Sequence, residues 1–178
     1  MIKTFEAYNK PEIKKTYHKN GQLKSEYYYL NGKKHREDGP AVQSWYENGQ
    51  LQSELYSLND KRHREDGPAY QEWYPNGKLR YQFYHLNGKK HREDGPAYQY
   101  WYENGQLLSL YYHLNDKLHR EDGPAIQRWY ENEQLEYEIY WLNGNKYTQE
   151  DFVQKLKDIN SIHYEEQDMI LYANKYNL

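Results

Sequence analysis

The sequence predicts an all-β fold: an elongated antiparallel sheet of tandem β-hairpin repeats with a 28-residue unit, ending in a short C-terminal helical cap. Three observations carry this. The heptapeptide His-Arg-Glu-Asp-Gly-Pro-Ala begins at His35, His63, His91 and His119, and each start lies 28 residues after the last. Trp45, Trp73, Trp101 and Trp129 keep the same step, as do Leu51, Leu79, Leu107 and Leu135. Between these landmarks run short β-forming stretches punctuated by Asn-Gly or Asn-Asp pairs. Self-similarity at such a period marks a unit that buries its apolar face only by stacking on its copies.

The chain divides into a lead-in strand at residues 1–15, hairpin repeats at 16–146 and a helical cap at 147–178. Tyr17 and Leu23 mark a partial first unit. Each unit then holds three chain breakers, of the kind seen at Asn48-Gly49, Asn59-Asp60 and Asp66-Gly67-Pro68. If all three reversed the chain, successive units would run upside down and identical residues would meet different surroundings. The Asn sites are therefore read as hairpin turns, and Asp-Gly-Pro as a kink or bulge inside one long strand.

The first turn is specified further. A three-residue loop, Glu103-Asn104-Gly105, pairs Trp101 with Leu107, Gln99 with Ser109 and Ala97 with Tyr111, and puts the repeated residues on one inner face. It places Gly105 in the left-handed region of a type I turn with a glycine bulge. The outward positions in this register are Val42, Ser44, Gln52 and Glu54, then Tyr70, Glu72, Arg80 and Gln82, and in the last unit Ile126, Arg128, Glu136 and Glu138. The third unit differs in kind: Tyr98, Tyr100, Leu108 and Leu110 form an apolar patch, the candidate partner-binding surface. The rival reading covers that patch with the C-terminal helix through Phe152, Val153 and Leu156. The tyrosines of opposite parity, among them Tyr46, Tyr56, Tyr74, Tyr84, Tyr102 and Tyr112, are expected to form a second packing ladder.

Thr148 followed by Asp151, with Phe152, Val153 and Leu156 behind, reads as an N-capped amphipathic helix, and Tyr164 to Tyr176 as a second one. Helices there would cover the open edge of the sheet.

Composition bounds the chemistry. Ile, Leu, Val and Phe together make 29 of 178 residues, but 23 tyrosines and 5 tryptophans can supply the missing apolar area. The net charge of −3 sets up no global field toward nucleic acid or an anionic bilayer. Without cysteine there are no disulfides, and Met1 to Lys15 holds no signal-like apolar run. The expected place is a cytoplasm, of the source cell or of an infected host.

The repeated His-Arg-Glu-Asp segments are the obvious candidates for chemistry, since His35 and Glu37 project from the same side of a strand. Their fourfold repetition favours structure, because an enzyme needs one asymmetric set of unlike groups. His35, Arg36, His63, Arg64, His91, Arg92, His119 and Arg120 are read as a polar edge, with no cofactor, no metal and no enzymatic activity. The rival is a metal or small-molecule binder, or an enzyme, using these segments. Lys33, Lys34, Arg62, Lys89, Lys90 and their neighbours raise a nucleic-acid reading, countered by the adjacent Glu37, Asp38 and their equivalents.

Tyr17-His18-Lys19-Asn20-Gly21-Gln22-Leu23, Trp45-Tyr46-Glu47-Asn48-Gly49-Gln50-Leu51 and Tyr29-Leu30-Asn31-Gly32-Lys33 resemble the hairpin motif of the variant MORN (membrane occupation and recognition nexus) repeats. The resemblance covers Thr16 to Lys146. It implies a row of antiparallel hairpins with a groove for protein or, in some members, lipid contact, of the kind found in antitoxin-like, phage and large-virus proteins. The His-Arg-Glu-Asp-Gly-Pro-Ala segment lengthens the unit beyond that motif, and no binding or catalytic residue is carried over. The expected function is a scaffold for a protein partner, with nucleic acid and membrane surface as lesser alternatives and self-association open.

Overall fold

The computed structural model describes residues 11–176, with side chains through Ile162. The first part of the lead-in, residues 1–10, lies outside the described residues. Long strands follow one another in chain order across one antiparallel sheet: Pro11–Tyr17, Leu23–Leu30, Val42–Trp45, Leu51–Leu55, Tyr70–Trp73, Leu79–Phe83, Tyr98–Trp101, Leu107–Tyr111, Ile126–Trp129 and Leu135–Leu142, ending on Asn145–Tyr147.

Each unit adds a second, shorter hairpin. After Leu55 the chain bends at Tyr56 into Ser57–Leu58 paired with Lys61–Arg62. His85–Leu86 with Lys89–Lys90 and His113–Leu114 with Lys117–Leu118 repeat it. These short hairpins bond to one another, with Asp60 N donating to Lys34 O at 2.9 Å and Arg64 N to His85 O at 3.2 Å. They form a second ribbon beside the main sheet and turn toward one of its faces, bringing Lys90 Nζ 5.0 Å over the Tyr98 ring. The two ribbons bound a trough.

Both Asn sites are turns, as expected. Tyr46 N donates to Gln50 O and Gly49 N to Tyr46 O, which closes the three-residue loop with Gly49 at φ +82°. The second turn has both central residues left-handed, Asn59 at +52° and Asp60 at +66°, the type I′ geometry that matches strand twist.

Three expectations are corrected. First, Trp101 does pair with Leu107, but the next pairs are Tyr100 with Ser109, Gln99 with Leu110 and Tyr98 with Tyr111. A second bulge, at Leu108, intervenes, and the long hairpins at 42–55, 70–83 and 126–139 carry the same shift. One extra residue moves everything beyond it to the other face. Second, Asp-Gly-Pro is more than a kink. From Tyr27 to Tyr29 one strand advances two residues while its neighbour runs from Val42 back to Lys34, so residues 35–41 leave the ladder as an arch. Third, the C-terminal segment is one continuous helix, Gln149–Tyr176.

Thr148 Oγ1 accepts from Asp151 N at 3.1 Å and caps that helix. Phe152, 3% exposed, lies 4.9 Å from the Tyr140 ring in the last long strand, not over the third hairpin, and Val153 is exposed.

A single sheet has no second layer to bury large side chains. Ala41, Ala69, Ala97 and Ala125 at the bend are 0% exposed, whereas Trp45, Trp73, Trp101 and Trp129 are only half-buried.

Candidate binding face

The constant residues are spent in joining units. The backbone N–H of Asn87 donates to His63 Nδ1 at 3.0 Å, and Asn59, Asn115 and Asn143 do the same to His35, His91 and His119. On the other side of each ring, Nε2 faces Glu37, Glu65, Glu93 or Glu121 at 3.4 to 3.7 Å. The arch is built around its arginine. The Arg64 guanidinium lies 4.0 Å over the Tyr56 ring, and its Nε donates to Asp66 at 2.8 Å. Behind it sits Gly67, where a Cβ would come within 3.1 Å of Cζ. Arg36, Arg92 and Arg120 repeat this on Tyr28, Tyr84 and Tyr112. Each guanidinium holds its aspartate, Asp38, Asp66, Asp94 or Asp122, below the ordinary carboxylate range.

The hairpin tips are tied similarly. Tyr46 Oη donates to Trp73 O, Tyr74 to Trp101 O and Tyr102 to Trp129 O, at 2.8 to 3.0 Å. The opposite-parity tyrosines thus serve the unit-to-unit ladder. All eight polar-edge residues, His35, Arg36, His63, Arg64, His91, Arg92, His119 and Arg120, stand in such joints. Among the described residues no three His, Asp or Glu side chains converge as a metal would require.

The corrected register gathers the variable positions on the trough. They are Val42, Ser44, Ser53 and Leu55 in the first unit, Tyr70, Glu72, Tyr81 and Phe83 in the second, then Tyr98, Tyr100, Ser109 and Tyr111, and finally Ile126, Arg128, Tyr137 and Ile139. The middle units place six rings in one continuous cluster. Phe83 lies 4.2 Å from Tyr98, 5.2 Å from Tyr81 and 5.8 Å from Tyr70, while Tyr100 lies 5.8 Å from both Tyr81 and Tyr111. All six are half-buried. Burial pushes the Tyr81 and Tyr98 phenols up to about 12, and raises those of Tyr70, Tyr100 and Tyr111 as well.

Two edges frame the rings. Toward the hairpin tips, Arg80 pairs with Glu72 at 2.9 Å and Arg128 with Glu136 at 2.8 Å. Along the bend runs the column Tyr29, Ser57, His85, His113 and Trp141, equivalent positions of successive units. His85 Nε2 shares a 2.8 Å hydrogen bond with Tyr98 Oη, and the His113 ring lies 5.6 Å from Tyr98 on its other side. Burial pushes both histidines down to about 4, so they stay neutral.

Of the expected patch, Tyr98 and Tyr100 sit in the cluster. Leu108 occupies the bulge position from which Arg80 and Glu136 reach trough residues, whereas Leu110 pairs with Gln99 and points to the other face. Tyr81, Phe83, Tyr111, His85 and His113 were missed. Their signal was in the sequence as variation in kind at fixed 28-residue steps, hidden by the one-residue bulge.

The family model of the MORN repeat variant matches residues 13–31, 41–59, 69–87 and 97–115. Each of these segments spans one long hairpin and runs on to the asparagine of the type I′ turn, and the arches lie between them. No curated protein and no solved structure matches the chain. Among the described residues no helix is long and apolar enough to cross a membrane.

Proposed function

We propose that this repeat scaffold is non-catalytic and binds a protein partner in its trough, in the manner of an antitoxin, an inhibitor or a host-interaction factor. One observation carries the reading. The residues that recur in every unit are consumed in unit-to-unit bonds, while those that change converge on a single face bearing six contiguous, half-exposed aromatic rings. Aromatic side chains are what protein interfaces use for affinity, and a rigid sheet holds them at little entropic cost.

The arrangement suits a protein better than a nucleic acid. Bases stack on free ring faces. Here the rings cover one another, Tyr81 and Phe83 lying 2° from parallel and Phe83 4.2 Å from Tyr98, and the Tyr70 and Tyr98 hydroxyls are already bonded to Glu72 and His85.

The test is capture from the source organism, or from its host, with tagged wild-type protein and with Tyr81→Ser combined with Tyr100→Ser. A partner held by the wild type and lost by the variant, with the variant still folded at the assay temperature, supports the reading. Equal capture by both overturns it.

A further inference from the structure

The trough has one rim whose cationic side chains form no ion pair among the described residues. Lys34, Arg62 and Lys90 stand opposite Tyr29, Ser57 and His85 in the second ribbon, at equivalent positions of successive units. Arg62 lies 5.3 Å over the Tyr70 ring and Lys90 5.0 Å over that of Tyr98. Among the described residues none of the three makes an ion pair, whereas Arg80 and Arg128 on the opposite rim and every arch arginine do. The nearby turn carboxylates of Asp60 and Asp116 are bonded instead to the backbone N–H groups of Lys34 and Lys90.

The spacing of this row is set by the fold. A unit contributes two strands to the sheet, and strands lie about 4.8 Å apart, so equivalent residues are about 9.6 Å apart along the trough. A chain in the polyproline II conformation advances about 3.1 Å per residue with three residues per turn, so every third side chain falls on the same side and three residues cover about the same distance. We infer that the trough takes an extended acidic segment of the partner, running across the strands with a carboxylate at every third residue to meet Lys90, Arg62 and Lys34 in turn. The intervening apolar side chains lie on the ring edges of the middle units. Past them they enter the stretch floored by the smaller side chains of Val42, Leu55 and the hydrogen-bonded pair Ser44 and Ser53. This rests on the protein-partner reading and adds the chemistry of what is bound.

The experiment uses the full chain and fluorescein-labelled peptides at low salt. One peptide repeats Glu-Pro-Leu; a second has the same composition with its glutamates bunched at one end; a third carries lysine for glutamate. The expected result is binding of the first, weakened about tenfold by bunching, by Arg62→Ser with Lys90→Ser, or by raised salt, and no binding of the third. Equal affinity for the first two peptides, no binding of the first, or indifference to the two cation substitutions overturns the inference. So does tighter binding of an oligothymidylate strand than of the first peptide. The capture assay separates the two readings: a partner lost with Tyr81 and Tyr100 but retained without Arg62 and Lys90 leaves the trough standing and removes the acidic segment. A partner indifferent to all four removes both.

Discussion

The arch glycines offer a prediction whose sign depends on a neighbouring side chain. Gly67 has no left-handed φ, so alanine is conformationally free to replace it, and that change alone stabilises by about 0.4–1 kcal/mol through a less flexible unfolded chain. Yet the new Cβ would stand 3.1 Å from both Cζ and Nε of Arg64. The guanidinium cannot retreat freely, with the Tyr56 ring 4.0 Å away on its other side and Asp66 holding Nε at 2.8 Å. Losing the stacked geometry costs about 0.5–1 kcal/mol, so the two effects roughly cancel in the wild type. In an Arg64→Ala background only the gain remains. A double-mutant cycle by urea denaturation should therefore show coupling of about 0.5–1 kcal/mol in this unit, and similar values for Gly39 and Gly95. Gly123 is the internal control: its Cβ would meet Arg120 no closer than 3.4 Å, an ordinary contact, so Gly123→Ala should stabilise outright. Coupling within error at Gly67, or a Gly123→Ala variant no more stable than Gly67→Ala, would refute the claim that these glycines make room for the guanidinium.

Three further predictions follow from the same geometry. Glu133 holds φ +66° in the last hairpin, where Gly21, Gly49, Gly77 and Gly105 stand in the others, so Glu133→Gly should raise stability by about 1 kcal/mol in thermal melting despite the lost contact from Gln106. His85 and His113 titrate near 4 when folded and near 6.5 when unfolded, so between these values the unfolded chain alone takes up protons. Stability should be full above pH 6.5 and fall by a few kcal/mol as pH drops toward 4, and replacing both by leucine should flatten that fall. Removing His63 to Lys90, one whole unit, should leave a folded and shorter protein by circular dichroism. Removing fourteen residues should not, because it leaves a strand unmatched.

The legible part of this fold was whatever local chemistry repeats. Asn-Gly and Asn-Asp announce left-handed turn residues, and Thr148 with Asp151 announces a cap, because a turn or a helix start is decided within a few residues. The 28-residue step of His, Trp and Leu announced stacking copies. The two-turn count per unit followed from a symmetry argument and survives. Tyr98 and Tyr100 were singled out because they break the pattern of their equivalents.

What the sequence could not settle was anything resting on a pairing between segments. The bulge at Leu108 carries no residue signature, yet it sends Leu110 to one face and brings Tyr111 to Tyr98 on the other. The arch is likewise a tertiary fact. Arg64, Asp66 and Gly67 are close in sequence, but the Tyr56 ring that completes their stack comes from the bend after Leu51–Leu55. The sequence by itself determined that the chain is a ladder of two-turn units with half its residues committed to repetition. Only the tertiary structure decided which face the remaining residues share, because side-chain direction in a strand alternates with every residue and a single inserted one reverses it.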